Sequence, residues 1–298
     1  MAVKYPWRDY SGKFSGLKAI VFVALFIPGL WIAYALANHL LGARPLIEAN
    51  HQTGLWAVRL LFVALAVTPL SRLWQWPRLN LVRRMIGVAA FSYIAAHLVL
   101  YAAEEMFNLG TVASEILARV YLAIGFTAWL GLAALAATST DAMVKRLGPR
   151  RWQALHRFVY LIAFLGTVHY FIQSKLEVWE PMWIAGLLAW LIGYRAFFWI
   201  RGRNTRLPLW GVAALSVAAS VLTGLGEAIY FTLAFPVPIE RVLLANFSLD
   251  AGVRPSWVVL GVGAAITLGA VLRRGARQKS RPAAAAPLSA VARKSVSN

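Results

Sequence analysis

Eight stretches of apolar residues, each about as long as a bilayer is thick, alternate along the chain with shorter polar connections. They run over 17–39, 54–73, 84–106, 116–138, 154–173, 181–200, 208–234 and 256–273. A helix rises about 1.5 Å per residue, so about 20 apolar residues cross a hydrocarbon core about 30 Å thick. The pattern predicts an all-α, polytopic membrane helix bundle. The first run, Ala19 to Leu36, ends near Ala35-Leu36-Ala37 and so resembles a signal peptide. It exceeds the usual hydrophobic segment of about 7–15 residues, and reads as a retained first span. The connection 235–255 contains FPVPIERVLLANF, which suits a short interfacial helix.

Composition agrees: 60% of the 298 residues are hydrophobic and 14% are charged, against about 25% charged in a soluble domain. The net charge of +19 would suit a nucleic-acid binder, but its distribution argues otherwise. Lys4, Arg8, Lys13 and Lys18, then Arg72, Arg78, Arg83 and Arg84, then Lys145, Arg146, Arg150 and Arg151, then Arg201, Arg203 and Arg206, and finally the tail from Arg273 all fall on one side. The other side holds Glu48, Glu104, Glu105, Glu115, Glu177, Glu180, Glu240 and Asp250. Excess Lys and Arg marks the cytoplasmic side, which predicts two cytoplasmic termini and explains the charge through topology and the lipid bilayer, with no nucleic acid. From about residue 275 the tail, with RPAAAAP, is too poor in apolar residues to fold alone.

Chemistry narrows next. There is no cysteine, which excludes disulfides, thiolate ligation and thiol catalysis. Of five histidines, His39 and His51 fall at or beyond the outer surface, while His156 and His169 lie 13 residues apart on span five. That spacing is about 20 Å along a helix axis. His97 lies 14 residues beyond Arg83 on span three, which runs in the same direction. With the inner ends level, His97 matches His169 at an outer depth and Arg83 matches His156 at an inner one. Two imidazoles facing each other from neighbouring helices are what six-coordinate haem iron requires, and without C-x-x-C-H the haem is b-type. The bland alternative is a histidine that only hydrogen-bonds a neighbouring helix. Intramembrane ionisable groups are costly, and the depth match favours ligation. On an ideal helix His156 and His169 would point about 140° apart; a distortion near Gly166, or two haems approached from different sides, would absorb the mismatch.

RRMIGVAAFSYIAAHLVLY (83–101), LGPRRWQALHRFVYLIAFLGTVHY (147–170) and TGLWAVRLLFVALAVTPL (53–70) resemble the MsrQ (YedZ) family, the haem-binding membrane subunits of the periplasmic methionine sulfoxide reductase system. The wider relatives are ferric-reductase-like transmembrane domains with six helices and stacked b haems. The resemblance covers about residues 15–205. It implies that His97 and His169 ligate an outer haem and His156 an inner one. In the wider superfamily a fourth histidine stands where this chain has Arg83, which lacks a lone pair and suits a haem propionate. The inner haem is then five-coordinate or takes another ligand; Met85 is near, and reads more simply as packing. The resemblance further implies electrons from the quinone pool or a cytosolic flavin reductase, passed outward to the molybdenum-cofactor subunit MsrP at the bacterial inner membrane. It extends to FMN, to which no residue of this chain is assigned.

On that reading residues 1–16 form a cytoplasmic segment, 17–206 a six-helix haem core, 207–274 two added transmembrane helices, and 275–298 a disordered basic tail. Gly261, Ala265 and Gly269 make a small-residue row suited to close packing on span eight. Glu227, inside span seven, would either gate protons near a quinone or pair with a neighbouring donor, the latter being favoured. No G-x-G-x-x-G opens a nucleotide-binding domain, so the chain reads as an electron-transfer subunit without substrate chemistry of its own. The alternatives are a ferric-reductase-like cytochrome with another acceptor, and a proton-coupled transporter with His97, His169 and Glu227 as a relay. The transporter reading gains nothing from internal repeats, since none is evident.

Overall fold

The computed structural model describes residues 5–9, 11–202, 205, 207–248 and 252–279. Lys4, Arg203, Arg206, Asp250 and the tail from residue 280 lie outside the described residues. Among those described, eight helices are long and apolar enough to cross a membrane. They fall on the eight predicted runs.

The first span is two helices, α1 (Gly16–Ala24) and α2 (Ile27–Ala37). Pro28 in the first turn of α2 lacks the N–H that would continue α1. Tyr93 staples the break, its hydroxyl donating to the Leu25 carbonyl at 2.8 Å and accepting from Gly29 N–H at 2.7 Å. α3 (Pro45–Leu73) is the most buried span and runs through the centre of the bundle. It begins nine residues earlier than the apolar run, because a helix continues through polar residues once it leaves the hydrocarbon.

α4 (Asn80–Glu104) lies along α3 over most of its length. A short α5 (Leu109–Ala118) turns at Arg119, whose backbone is extended, into α6 (Val120–Ala137). α7 (Asp141–Leu147) is capped by the Thr140 hydroxyl, with Asp141 in its first turn and Lys145 and Arg146 in its last, each complementing the helix dipole. Gly148 ends it at φ 75°, and α8 (Pro149–Arg157) follows. α9 (Val159–Gln173) continues α8 after a tightened turn at Phe158, whose N–H bonds back to Leu155 O at 3.1 Å. The distortion expected near Gly166 therefore falls at Phe158.

α10 (Trp179–Arg201) joins this group to a second one formed by α11 (Leu209–Ala234) and α13 (Pro255–Lys279), with α12 (Ile239–Ala245) between them. α12 is the short helix expected in the 235–255 connection. The anticipated row on α13 is corrected: Gly261 and Ala265 face away from the bundle. The close approaches come instead at Gly263, against Ser216, and at Gly269, where a Cβ would lie 2.7 Å from Trp74 Nε1. α13 packs on two neighbours, so its buried stripe includes Val259 and Ala270 and drifts off a strict four-residue row.

Candidate functional site: two histidines held by two helix backbones

Two pairs of helices build the site in the same way. His97 on α4 turns toward α3, its Nδ1 2.8 Å from the Asn50 carbonyl. His169 on α9 turns toward α6, its Nδ1 2.8 Å from the Tyr121 carbonyl. A carbonyl only accepts, so each Nδ1 carries the proton and each Nε2 keeps its lone pair.

Both carbonyls precede a glycine by four residues: Asn50 and Gly54, Tyr121 and Gly125. In a helix the carbonyl of residue i points at residue i+4, so a side chain there would obstruct the imidazole. A Cβ at Gly54 would lie 2.9 Å from His97 Nδ1, and one at Gly125 would lie 2.7 Å from His169 Nδ1. The glycines expose a backbone acceptor that a larger residue would cover.

The two rings are 6.4 Å apart between centroids, with planes at 79°. A metal about 2 Å from a ring nitrogen on each side requires imidazoles spaced by about 6 Å. Tyr121 stacks beside His169 at 6.3 Å. Toward the basic-loop end, Phe91 on α4 and Phe126 on α6 pack on either side of Trp129, at 6.2 and 5.7 Å. At the opposite end, Asn50 Oδ1, Tyr101 Oη and Glu104 Oε1 are buried without a hydrogen-bond partner among the described residues. Buried polar atoms are normally paired, and these mostly acceptor oxygens suit ordered water or a donor. Two neutral imidazoles from facing helices, beside an aromatic cluster, fit a haem-type group.

The inner position is built differently. His156 lies on α8, stacked on Trp152 at 3.9 Å, with its Nε2 3.2 Å from Thr138 Oγ1. That hydroxyl donates to the Ala134 carbonyl at 2.8 Å, so His156 Nε2 is the donor and Nδ1 holds the lone pair. Arg83 and Arg84 lie within electrostatic reach of His156, and Arg83 Nη1 donates to Thr68 Oγ1 at 2.9 Å. Arg83 and His156 thus share a depth, as their spacing suggested. His39 ends α2 with φ 56°, and His51 is exposed on the first turns of α3.

Two ion pairs, the first half-buried and the second on a buried carboxylate, complete the polar interior. Arg59 on α3 grips Glu180 on α10 through Nε and Nη2 at 2.9 and 3.0 Å, with its guanidinium over Trp56. Glu227 on α11 pairs with Arg254 at 2.8 Å and accepts from Asn246 Nδ2 at 3.0 Å. Of the two readings of Glu227, the paired one is what the structure holds. Among the described residues no group of three or more His, Asp or Glu gathers as a metal cluster.

The model of the family described as ferric reductase like transmembrane component matches residues 53–167. That segment takes in Gly54, His97, Gly125 and His156, and stops two residues short of His169. The chain is 39% identical over 199 residues to the protein-methionine-sulfoxide reductase heme-binding subunit MsrQ of Rhodospirillum rubrum, covering 66% of this chain and 93% of that protein. The chain belongs to the MsrQ family. The MsrQ of Cronobacter sakazakii is 41% identical over 189 residues, covering 61% of this chain and 94% of the relative. That of Azospira oryzae is 37% identical, covering 63% and 82%. No solved structure matches the chain. About two thirds of this chain covers 82% to 94% of these relatives' own length. α10 to α13 lie beyond the ferric-reductase-like match.

Depth along the spans brings the histidine pair out of the sequence, whereas its two glycine–carbonyl seats leave only a glycine on each neighbouring span at the histidines' depth. Arg59 leaves little trace, because one arginine hardly lowers the hydropathy of an apolar run.

Proposed function

We propose that the protein is the haem-carrying membrane subunit of a methionine sulfoxide reductase system, with a b-type haem ligated by His97 and His169. The observation that carries the reading is the pair of imidazoles, each fixed through Nδ1 to a neighbouring helix backbone, at the spacing a shared metal requires. When bound, haem iron supplies a one-electron redox centre inside the membrane.

The chain's own residues hold that centre ready. The Asn50 and Tyr121 carbonyls fix ring orientation and make each imidazole a stronger donor, as partners of metal-bound histidine do elsewhere. Phe91, Phe126 and Trp129 exclude water on one side. With haem bound, imidazoles held in advance by these carbonyls would move little on electron transfer, which would lower the reorganisation it requires.

The basic loops face the cytoplasm of the bacterial inner membrane, which places the His97–His169 site toward the periplasm. Electrons enter from the quinone pool or a cytosolic flavin reductase and leave to a periplasmic molybdenum-cofactor subunit, MsrP, which reduces methionine sulfoxide in oxidised proteins. The haem core occupies 17–206, and α11 to α13 are an added layer. An inner haem at His156, with Arg83 toward a propionate, belongs to the same reading; ligation through Nε2 would require the ring to give up Thr138.

The test is a reduced-minus-oxidised visible spectrum with haem quantitation on wild type and on His97→Ala, His169→Ala and His156→Ala. His97→Ala and His169→Ala are expected to remove the same signal, and His156→Ala a different one or none. Full haem content in both of the first two variants would sink the ligand assignment. Co-purification with the molybdoenzyme separates this reading from a ferric-reductase-like cytochrome with another acceptor.

A further inference from the structure

A large cavity lies apart from the histidine pair. It is a groove of about 1020 Å³ between the first span and α4, floored by α3. Its α4 wall runs from Leu81 to Leu100 and its α1–α2 wall from Lys18 to Leu36. At about 1.5 Å per residue each wall is about 28 Å long, the depth of a hydrocarbon core. α1 contributes no fully buried residue, whereas α2 buries Ile32 and Ala35; the α1 half of the first span therefore stands off the bundle along this gap, and Tyr93 holds the span across it.

The groove is charged at one end only. At the outer end Leu36, Ala49, Val99 and Leu100 line it; at the basic-loop end stand Arg8, Lys18 and Arg84. Arg84 is neutralised by Asp141 at 2.6 Å. Arg8 and Lys18 have no carboxylate partner among the described residues: Arg8 lies over the Tyr5 ring, and Lys18 Nζ donates to the Arg8 carbonyl at 2.6 Å. Asp9, the remaining acid at the mouth, is engaged by Ser11 and the Lys13 N–H in a tight turn. That turn folds the chain back, with Arg8 bridged to Phe14, so a small roof carries Arg8 over the mouth.

We propose that this groove is a binding site for an anionic glycerophospholipid from the leaflet on the basic-loop side, its phosphate headgroup at Arg8 and Lys18 and its chains against α1, α2 and α4. A detergent-like molecule with an uncharged head would leave two cations unmatched at the mouth, and a soluble anion would leave the long apolar trough unfilled. Basic mouths between transmembrane helices select acidic lipids in this way, at about fivefold in affinity per cation. The bound lipid mortars the first span to α4, where protein contact is sparse.

The full chain, purified and delipidated in detergent, is titrated with phosphatidylglycerol or phosphatidylcholine of identical chains and read by native mass spectrometry. Wild type is expected to hold one phosphatidylglycerol at concentrations where phosphatidylcholine is lost. Arg8→Gln with Lys18→Gln should weaken phosphatidylglycerol about thirtyfold and leave phosphatidylcholine unchanged. Ala89→Trp, which fills the trough from α4, should weaken both lipids. Equal retention of the two lipids by wild type, or indifference of phosphatidylglycerol to the Arg8 and Lys18 changes in protein of unaltered circular dichroism, would overturn the proposal.

Discussion

Gly125→Ala is the smallest change that tests the histidine site. The added Cβ would lie 2.7 Å from His169 Nδ1 and 2.8 Å from Cε1, whereas ordinary contact begins at 3.4 Å. The ring must therefore withdraw by about 0.7 Å, against a tolerance of about 0.2 Å for a ligand–metal distance. Withdrawal also stretches the 2.8 Å bond to the Tyr121 carbonyl, and loss of such a partner typically weakens metal binding about 10–100-fold. The expected result is haem loss approaching that of His169→Ala, with helix content unchanged because alanine is the better helix former. Gly54→Ala should do the same more mildly, its Cβ lying 2.9 Å from His97 Nδ1. Gly166→Ala on α9, where a Cβ meets nothing within 4 Å, is the control. Haem per protein and the reduced spectrum are the assay. If Gly125→Ala retains wild-type haem and an unshifted spectrum, the glycine seats do not position the ligands.

Glu227→Ala strands the largely buried Arg254 guanidinium and should cost about 3 kcal/mol, read as a lower melting temperature in detergent with the His97–His169 haem signal retained. Gly263→Ala drives a methyl into Ser216 and should destabilise the α11–α13 pair by about 1–3 kcal/mol in the same assay, again with the haem spectrum unchanged. The Ser11 hydroxyl holds the Asp9 carboxyl below its ordinary 3.8. A depressed carboxyl stabilises above its unfolded value and loses that contribution as pH falls through the folded one. The turn at Asp9 should therefore loosen only as pH falls below the ordinary carboxylate range, seen as a lower amide protection factor at Lys13.

The sequence carried the membrane spans because hydropathy acts on whole segments of about 20 residues. It carried the histidine depths because helix rise is constant. Neither rule reports direction around an axis, so the pairing of His97 with α3 and of His169 with α6 was beyond it. The 13-residue spacing of His156 and His169 showed the limit in the other direction. An ideal helix sets them about 140° apart, and the real chain breaks at Phe158, where no glycine or proline marks the place. Glu227 was visible as an expensive residue, but its partner Arg254 lies outside the apolar run and 27 positions away. Long-range pairing of that kind leaves no local signature.

The two histidine positions differ in a way that orders their roles. At His97 and His169 the Nδ1 proton is spent on an immovable helix carbonyl, and a lone pair is left on Nε2. At His156 the Nε2 proton is spent on a threonine hydroxyl, which can rotate, on a short helix joined to α9 by a single tightened turn. A fixed acceptor with an open donor is a preorganised ligand; a bonded donor on a short segment is one that must rearrange. Binding that requires rearrangement is weaker by the cost of the state it leaves. The pair should therefore fill first as haem is titrated into apoprotein, and Thr138→Val, which frees His156 Nε2, should tighten the inner position without altering the outer one. Inner-site affinity unchanged by Thr138→Val would mean that the threonine bond does not hold His156 back.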